Sequence, residues 1–112
     1  MAGETRALFE RAAEVPFEPR LRDVHGTVRF EVAGAGTWRV TVDDGSITVG
    51  EGAGAAECVV RIEEAELRRL MRSEQNALTA FMQGRLAVEG TPGLALAVCR
   101  LLMGLSAAGS RG

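Results

Sequence analysis

A chain of 112 residues, 46% apolar and 25% charged, has the make-up of one globular domain and room for a single modest core. Its net charge of −2 leaves no basic surface to neutralise a phosphate backbone, which argues against nucleic acid as a partner. The longest apolar segment is broken by Arg100 and falls short of the roughly 18 to 20 residues that a membrane-spanning helix needs.

From Glu4 to Val15, Leu8, Phe9, Ala12, Ala13 and Val15 recur at three- and four-residue intervals among charged residues, the pattern of a docked amphipathic helix. Pro16 and Pro19 stop it, and Phe17 to Val24 reads as a linker with Leu21 and Val24 as anchors. At Gly26 the period changes to two. Val28, Phe30 and Val32 alternate with Arg29 and Glu31. After Gly34-Ala35-Gly36, Trp38, Val40 and Val42 alternate with Arg39, Thr41 and Asp43. Asp44-Gly45 carries the positive-φ chemistry of a tight hairpin turn, so Ser46 to Val49 returns as a third strand. A Gly/Ala loop, Gly50 to Ala55, leads to a fourth strand, Cys58 to Ile62.

Glu63 to Arg72 is predicted as a helix, acidic at its start and basic at its end as the peptide dipoles prefer, with Leu67, Leu70 and Met71 as its apolar stripe. Asn76 is placed to cap a short helix that turns Ala80 and Phe81 inward. Arg85 to Glu89 is a fifth strand, burying Leu86 and Val88. Thr91-Pro92 opens a last helix, which Gly104 is expected to end. The order of elements predicts an α+β fold, a mostly antiparallel sheet covered by helices on one face, in a single domain over 1–112.

These residues, above all Asn76, Phe81-Met82-Gln83-Gly84-Arg85-Leu86 and Gly90, with Gly26 to Phe30, Thr37-Trp38 and Asp44-Gly45, resemble the sterol carrier protein 2 (SCP2)-like lipid-binding domains. The resemblance runs from about Gly26 to about Leu102, with the core of the domain at about 26–103. It implies a five-stranded sheet under helices, with an apolar tunnel between the layers that takes up fatty acyl chains, acyl-CoA or sterols without covalent chemistry. The chain has one short helix before the sheet, where that family often has a longer lead, and Ser110-Arg111-Gly112 is no peroxisomal address. Sterol as the ligand and a peroxisomal location are therefore not carried over.

The last helix supports a tunnel on its own terms. Leu94, Val98, Leu101 and Leu105 fall on one face, and Leu96, Cys99 and Met103 on another. One stripe packs on the sheet. The other needs a cover: the first helix, a partner chain as in a homodimer, or a ligand. The expected ligand walls are Trp38, Leu70, Met71, Phe81, Met82, Leu94, Val98, Leu101 and Leu102. Flexible Met71, Met82 and Met103 suit ligands of varied shape, although methionine is commoner as plain core. The expected partner is one apolar or amphipathic molecule: an acyl chain, acyl-CoA, or a sterol-like or polyketide-like compound. A small accessory enzyme that folds a substrate for cyclisation in the same pocket, and a module whose apolar stripe binds another protein, are the alternatives.

Other patterns carry less. Gly50-Glu51-Gly52-Ala53-Gly54-Ala55 fits a dinucleotide fingerprint, but a strand follows where the phosphate needs a helix N-terminus. His25 beside Asp23 has no nucleophile near it in the sequence, and Asp43-Asp44 is explained by the turn. Cys58, Cys99 and His25 lack metal-ligand spacing. Arg68, Arg69 and Arg72 read as a solvated helix end, with docking of CoA phosphates or an acidic partner as the minor reading. No catalytic residue, cofactor or metal site is assigned. Two isolated cysteines and no secretory signal pattern point to the cytoplasm, and the Ala, Gly and Arg content to a GC-rich bacterial genome.

Overall fold

The computed structural model describes residues 2–72 and 76–109. Helix α1 (Ala2–Ala13) lies two residues ahead of the predicted span, and Val15 belongs to its closing turn, where its N–H donates to the Ala12 carbonyl at 3.2 Å. Pro16, with no N–H of its own, ends the run. The predicted linker holds a 3-10 turn, Pro19–Leu21, capped by the Glu18 carboxylate accepting from the Arg20 N–H. Leu21 is buried and Val24 partly so, as anchors should be.

The strands are β1 (His25–Ala33), β2 (Gly36–Asp43), β3 (Ser46–Glu51), β4 (Cys58–Glu63) and β5 (Leu86–Gly90), in the spatial order β3-β2-β1-β4-β5. Three pairings are antiparallel, in line with the expected mostly antiparallel sheet, and β1 and β4 run parallel at the centre, so the sheet is mixed. A parallel pair needs a crossover. Here the connection runs through β2 and β3, and the Gly/Ala loop completes it: the Arg39 Nε and Arg29 Nη1 donate to the carbonyls of Gly52 at 3.1 Å and Gly54 at 2.7 Å. The segment that resembled a dinucleotide loop thus turns its carbonyls to guanidinium groups and runs on into β4.

Alternation of side chains along each strand decides the layers. Val28, Phe30, Val32, Trp38, Val40, Val42, Val60, Ile62 and Leu86 are buried on the face the helices cover. The other face is charged: Glu31 accepts from Arg29 and Arg61 at 3.0 Å each, and Arg61 also pairs with Glu89. The two guanidinium groups hold the Glu31 carboxyl below the usual carboxylate range. Val59 is a buried apolar residue on this otherwise polar side, on a central strand.

Helix α2 (Glu64–Met71) buries Leu67, Leu70 and Met71, and its acidic first turn and basic last turn follow the peptide dipoles as predicted. Thr5 of α1, the one buried polar residue described, donates to Glu64 at 3.1 Å and ties the two helices together. Helix α3 (Ala77–Met82) is capped by Asn76, whose side-chain oxygen accepts from the N–H groups of Leu78 at 2.9 Å and Thr79 at 3.3 Å. Replacing Asn76 by alanine should therefore cost about 1 kcal/mol in a urea melt. A loss below a few tenths would show that the cap contributes nothing.

Helix α4 (Pro92–Gly109) does not stop at Gly104 as expected. A glycine inside a helix costs about 1 kcal/mol relative to alanine, which is a preference rather than a barrier. Leu105, Ala107 and Ala108 beyond it are among the better helix formers.

Candidate functional site

The site is built from the cap of the sheet outward. Gly90, at φ +97, ends β5 and turns the chain so that α4 starts beside the first residue of β4. There the Cys58 Sγ donates to the Thr91 carbonyl at 2.9 Å. From that point α4 crosses the layer and touches α1, α2 and α3 as well as β1, β4 and β5. A helix that is apolar on most sides thus finds protein on most sides.

Of the expected walls, Leu70 and Met71 on α2 and Val98, Leu101 and Leu102 on α4 are buried, and Phe81 and Leu94 are partly buried against the same core. Leu94 lies over β1, its Cδ2 occupying the space a side chain at Gly26 would need. These seven share the layer formed by α2, α3 and α4 over the sheet. Trp38 is buried elsewhere, stacked on Phe9 of α1 with ring centres 4.8 Å apart and planes 8° from parallel. Met82 lies outside the group, 76% exposed. The side chain of Leu105 and the residues Ser110 to Gly112 lie outside the described residues.

The sequence reading missed several residues that complete this layer. Ala77 and Ala95 are buried, as is Ala80, which the sequence did turn inward, and small side chains such as these allow helices to pack closely. Their signal was only a recurrence of alanine at helical spacing, easily taken for neutral filler. Cys99 is buried, and loss of hydration pushes its thiol up to about 12. It is a core residue, poorly suited to nucleophilic work.

Phe81, Val88, Leu94, Leu96, Ala97 and Met103 are half-buried apolar side chains packed against the same core. Beside it, a cleft of about 160 Å³ is bounded by Leu21, Ala97 and Leu101, with Arg20 and Arg100 at its edge. A second of about 160 Å³ lies by Phe9, Trp38 and Val49. A broad opening of about 970 Å³ lies where β1 and β4 end, lined by charged residues such as Glu31, Arg61, Glu66, Arg69 and Arg85 and by apolar ones such as Val32 and Ile62. None of the expected wall residues borders that cleft.

His25 is exposed and its Nδ1 lies 3.0 Å from an Asp43 carboxylate oxygen, a surface pair across the first hairpin. Asp44, at φ 51, accepts from the Asp23 N–H at 2.7 Å and serves the turn. Among the described residues no cluster of His, Cys, Asp and Glu is placed to hold a metal ion, and no helix is long and apolar enough to cross a membrane.

Comparison with known proteins gives this layer a context. Bovine sterol carrier protein 2 is 32% identical over 94 residues, 79% of this chain, yet the chain spans only 17% of the length of that relative. Among solved structures, the sec-alkylsulfatase Pisa1 from Pseudomonas sp. superposes with a TM-score of 0.66 at 17% identity, covering 87% of this chain and 15% of the enzyme. The palmitated SCP2L2 of Aedes aegypti superposes with a TM-score of 0.64 at 17% identity, covering 88% of this chain and 89% of that one. At such identities the structures speak for the fold alone. The sequence profile of the SCP-2 sterol transfer family matches residues 7–103, and the chain belongs to that family.

Proposed function

We propose that this protein binds one apolar or amphipathic molecule between the α2–α4 layer and the sheet, and shields or transfers it without covalent chemistry. The observation that carries the reading is the set of half-buried apolar side chains packed against an interior whose only buried polar residue, among those described, is Thr5. An apolar chain entering there meets mostly hydrocarbon and sulfur, and each methylene it buries contributes about 0.8 kcal/mol. About ten of them reach micromolar affinity after the costs of association. Family membership, and the palmitated state of the Aedes aegypti structural neighbour, support an acyl chain or acyl-CoA as readily as a sterol-like or polyketide-like ligand.

The walls in this reading are Leu70, Met71, Phe81, Leu94, Val98, Leu101 and Leu102, which share one layer. Trp38 is a wall only if the space reaches beneath α1, where Phe9 now covers its ring. Among the described residues no charged residue is buried as a whole, which favours a carrier over an accessory enzyme. Two buried free thiols suit a reducing compartment such as the cytoplasm.

A thermal-shift panel of fatty acids, acyl-CoAs and sterols tests the proposal. At a hundredfold excess over the dissociation constant, a ligand of the native state adds about 2.7 kcal/mol of stability. Leu101→Trp, which fills the space between α4 and its neighbours, should fold and lose that shift. A panel that moves neither protein refutes the carrier reading. A Leu101→Trp protein destabilised by about 1 to 3 kcal/mol without ligand would place Leu101 in plain core.

A further inference from the structure

The two edges of the sheet are unlike. β5 packs against α3 and carries Glu89, paired with Arg61. β3 has no such protection: Ser46 to Gly50 holds no charge and no proline, and it pairs with β2 residue for residue, without a bulge. The Gly52 N–H donates to the Thr37 carbonyl at 2.8 Å, which fixes the phase of the β2–β3 ladder. Ser46, Thr48 and Gly50 turn their backbone groups to β2, so the N–H and C=O of Ile47 and Val49 point off the free edge. Nothing among the described residues bonds to them. The side chains of the same two residues face the helical layer, Ile47 buried and Val49 partly so. Beside Val49, the cleft of about 160 Å³ is walled by Phe9, Ala13 and Trp38. Its rim holds two carboxylates to one guanidinium: Arg6 pairs with Glu51 at 2.8 Å, and Glu10 stands one turn further along α1.

We propose that β3 accepts an extended segment of another protein as an added antiparallel strand, with an apolar residue opposite Val49 and a lysine or arginine opposite Glu51. Directly opposed residues of such a pair share a face, so the residue that exchanges hydrogen bonds with Val49 turns its side chain to the cleft beside α1. Main-chain bonds hold the segment, and the cleft selects its sequence. The surplus carboxylate calls for the cation. A second copy is the poorer occupant. Two β3 strands paired about a two-fold axis stand about 4.8 Å apart, whereas packed helices need about 8 to 10 Å, and α1 lies closer to β3 than to any other strand. The surface is separate from the ligand reading, because none of the walls on α2, α3 and α4 borders this cleft.

Fluorescence anisotropy with a fluorescein-labelled heptapeptide, Thr-Lys-Thr-Leu-Thr-Lys-Thr, tests this. The peptide should bind saturably, one to each chain. N-methylation of its leucine removes the donor that faces β3 and should weaken binding about tenfold. N-methylation of the two adjacent threonines, whose N–H groups point away, should change it by less than about threefold. Serine in place of the leucine, and Ala13→Phe in the protein, should each weaken binding about tenfold by emptying or filling the cleft. Ala13 is exposed, and a thermal melt verifies that this variant folds. Glu10→Gln should weaken binding about threefold. In amide exchange, Ile47 and Val49 should be fast in the free protein and protected by the peptide, while Thr48 and Gly50 are slow in both states. Absence of saturable binding overturns the proposal, as do equal losses from the two methylation patterns, or an Ala13→Phe protein that binds like wild type. Protection of Ile47 and Val49 that grows with protein concentration and needs no peptide would overturn it in favour of self-association.

Discussion

Replacing Gly90 by alanine should destabilise the protein by more than about 3 kcal/mol, close to the margin at which a domain of this size fails to fold. Two effects combine. Gly90 holds φ +97, a conformation that costs a side-chain-bearing residue about 1 to 3 kcal/mol. A Cβ there would also collide with the Glu57 carbonyl oxygen and stand 3.1 Å from the Cys58 Cα, all backbone atoms of the neighbouring strand that have no rotamer to yield with. The strain falls where β5 hands over to α4, so the whole helical layer loses its anchor. Gly84 is the control, since it has a similar φ of +79 but no atom within 4 Å of its missing Cβ. Gly84→Ala should cost only the conformational part. Thermal melts in which the two variants lie within about 4 °C of each other would contradict the close approach.

Phe9→Ala should cost about 3 to 5 kcal/mol. Phe9 is 1% exposed, stacked on Trp38 and tilted against Phe30 with ring centres 5.4 Å apart, so it joins α1 to both β1 and β2. Truncation opens a cavity under a helix that cannot move down, because Thr5 also fixes it to Glu64. Trp38 is the only tryptophan, so its fluorescence in urea reports the event directly. Phe17→Ala is the contrast: its ring lies over Gly45 and under Arg22 but is 43% exposed, and its loss should cost no more than about 1 to 2 kcal/mol. A Phe9→Ala midpoint within about 1 kcal/mol of wild type would mean that α1 is not seated on β2 in solution.

The parts of this fold legible from sequence are those set by local chemistry. Alternation along Val28–Val32 and Trp38–Val42, with Asp44-Gly45 between strands, is a period-two signal joined to a turn that requires positive φ, and both appear as expected. The Asn76 cap likewise follows from one side chain and two N–H groups nearby. The parallel pairing of β1 with β4 depends on partners thirty residues apart, which no local pattern encodes. Gly104 was a poor stop signal because its cost is small against an apolar helix already packed on several elements.

The site was less legible for related reasons. Met82 has the composition of a wall residue, yet α3 is only six residues long, too short for periodicity to say which side faces in. Trp38 alternates correctly into the core, but its stacking partner comes from α1, a contact between distant segments. Conversely, Leu70, Val98 and Leu101 lie on longer or more periodic helices, each in an apolar stripe its spacing defined, and are buried. Gly26 under Leu94 is the kind of pair that neither a helical nor a strand pattern shows by itself.

Whether the layer beneath α4 holds one lipid-like molecule is tested most directly by native mass spectrometry of the 11.9 kDa protein as purified from cells and after incubation with excess palmitate. The expected result is a monomer carrying one added mass of an apolar compound or of palmitate, lost when Leu101 is replaced by tryptophan. A bare chain in both samples, or several palmitates attached without saturation at one, would contradict the carrier function.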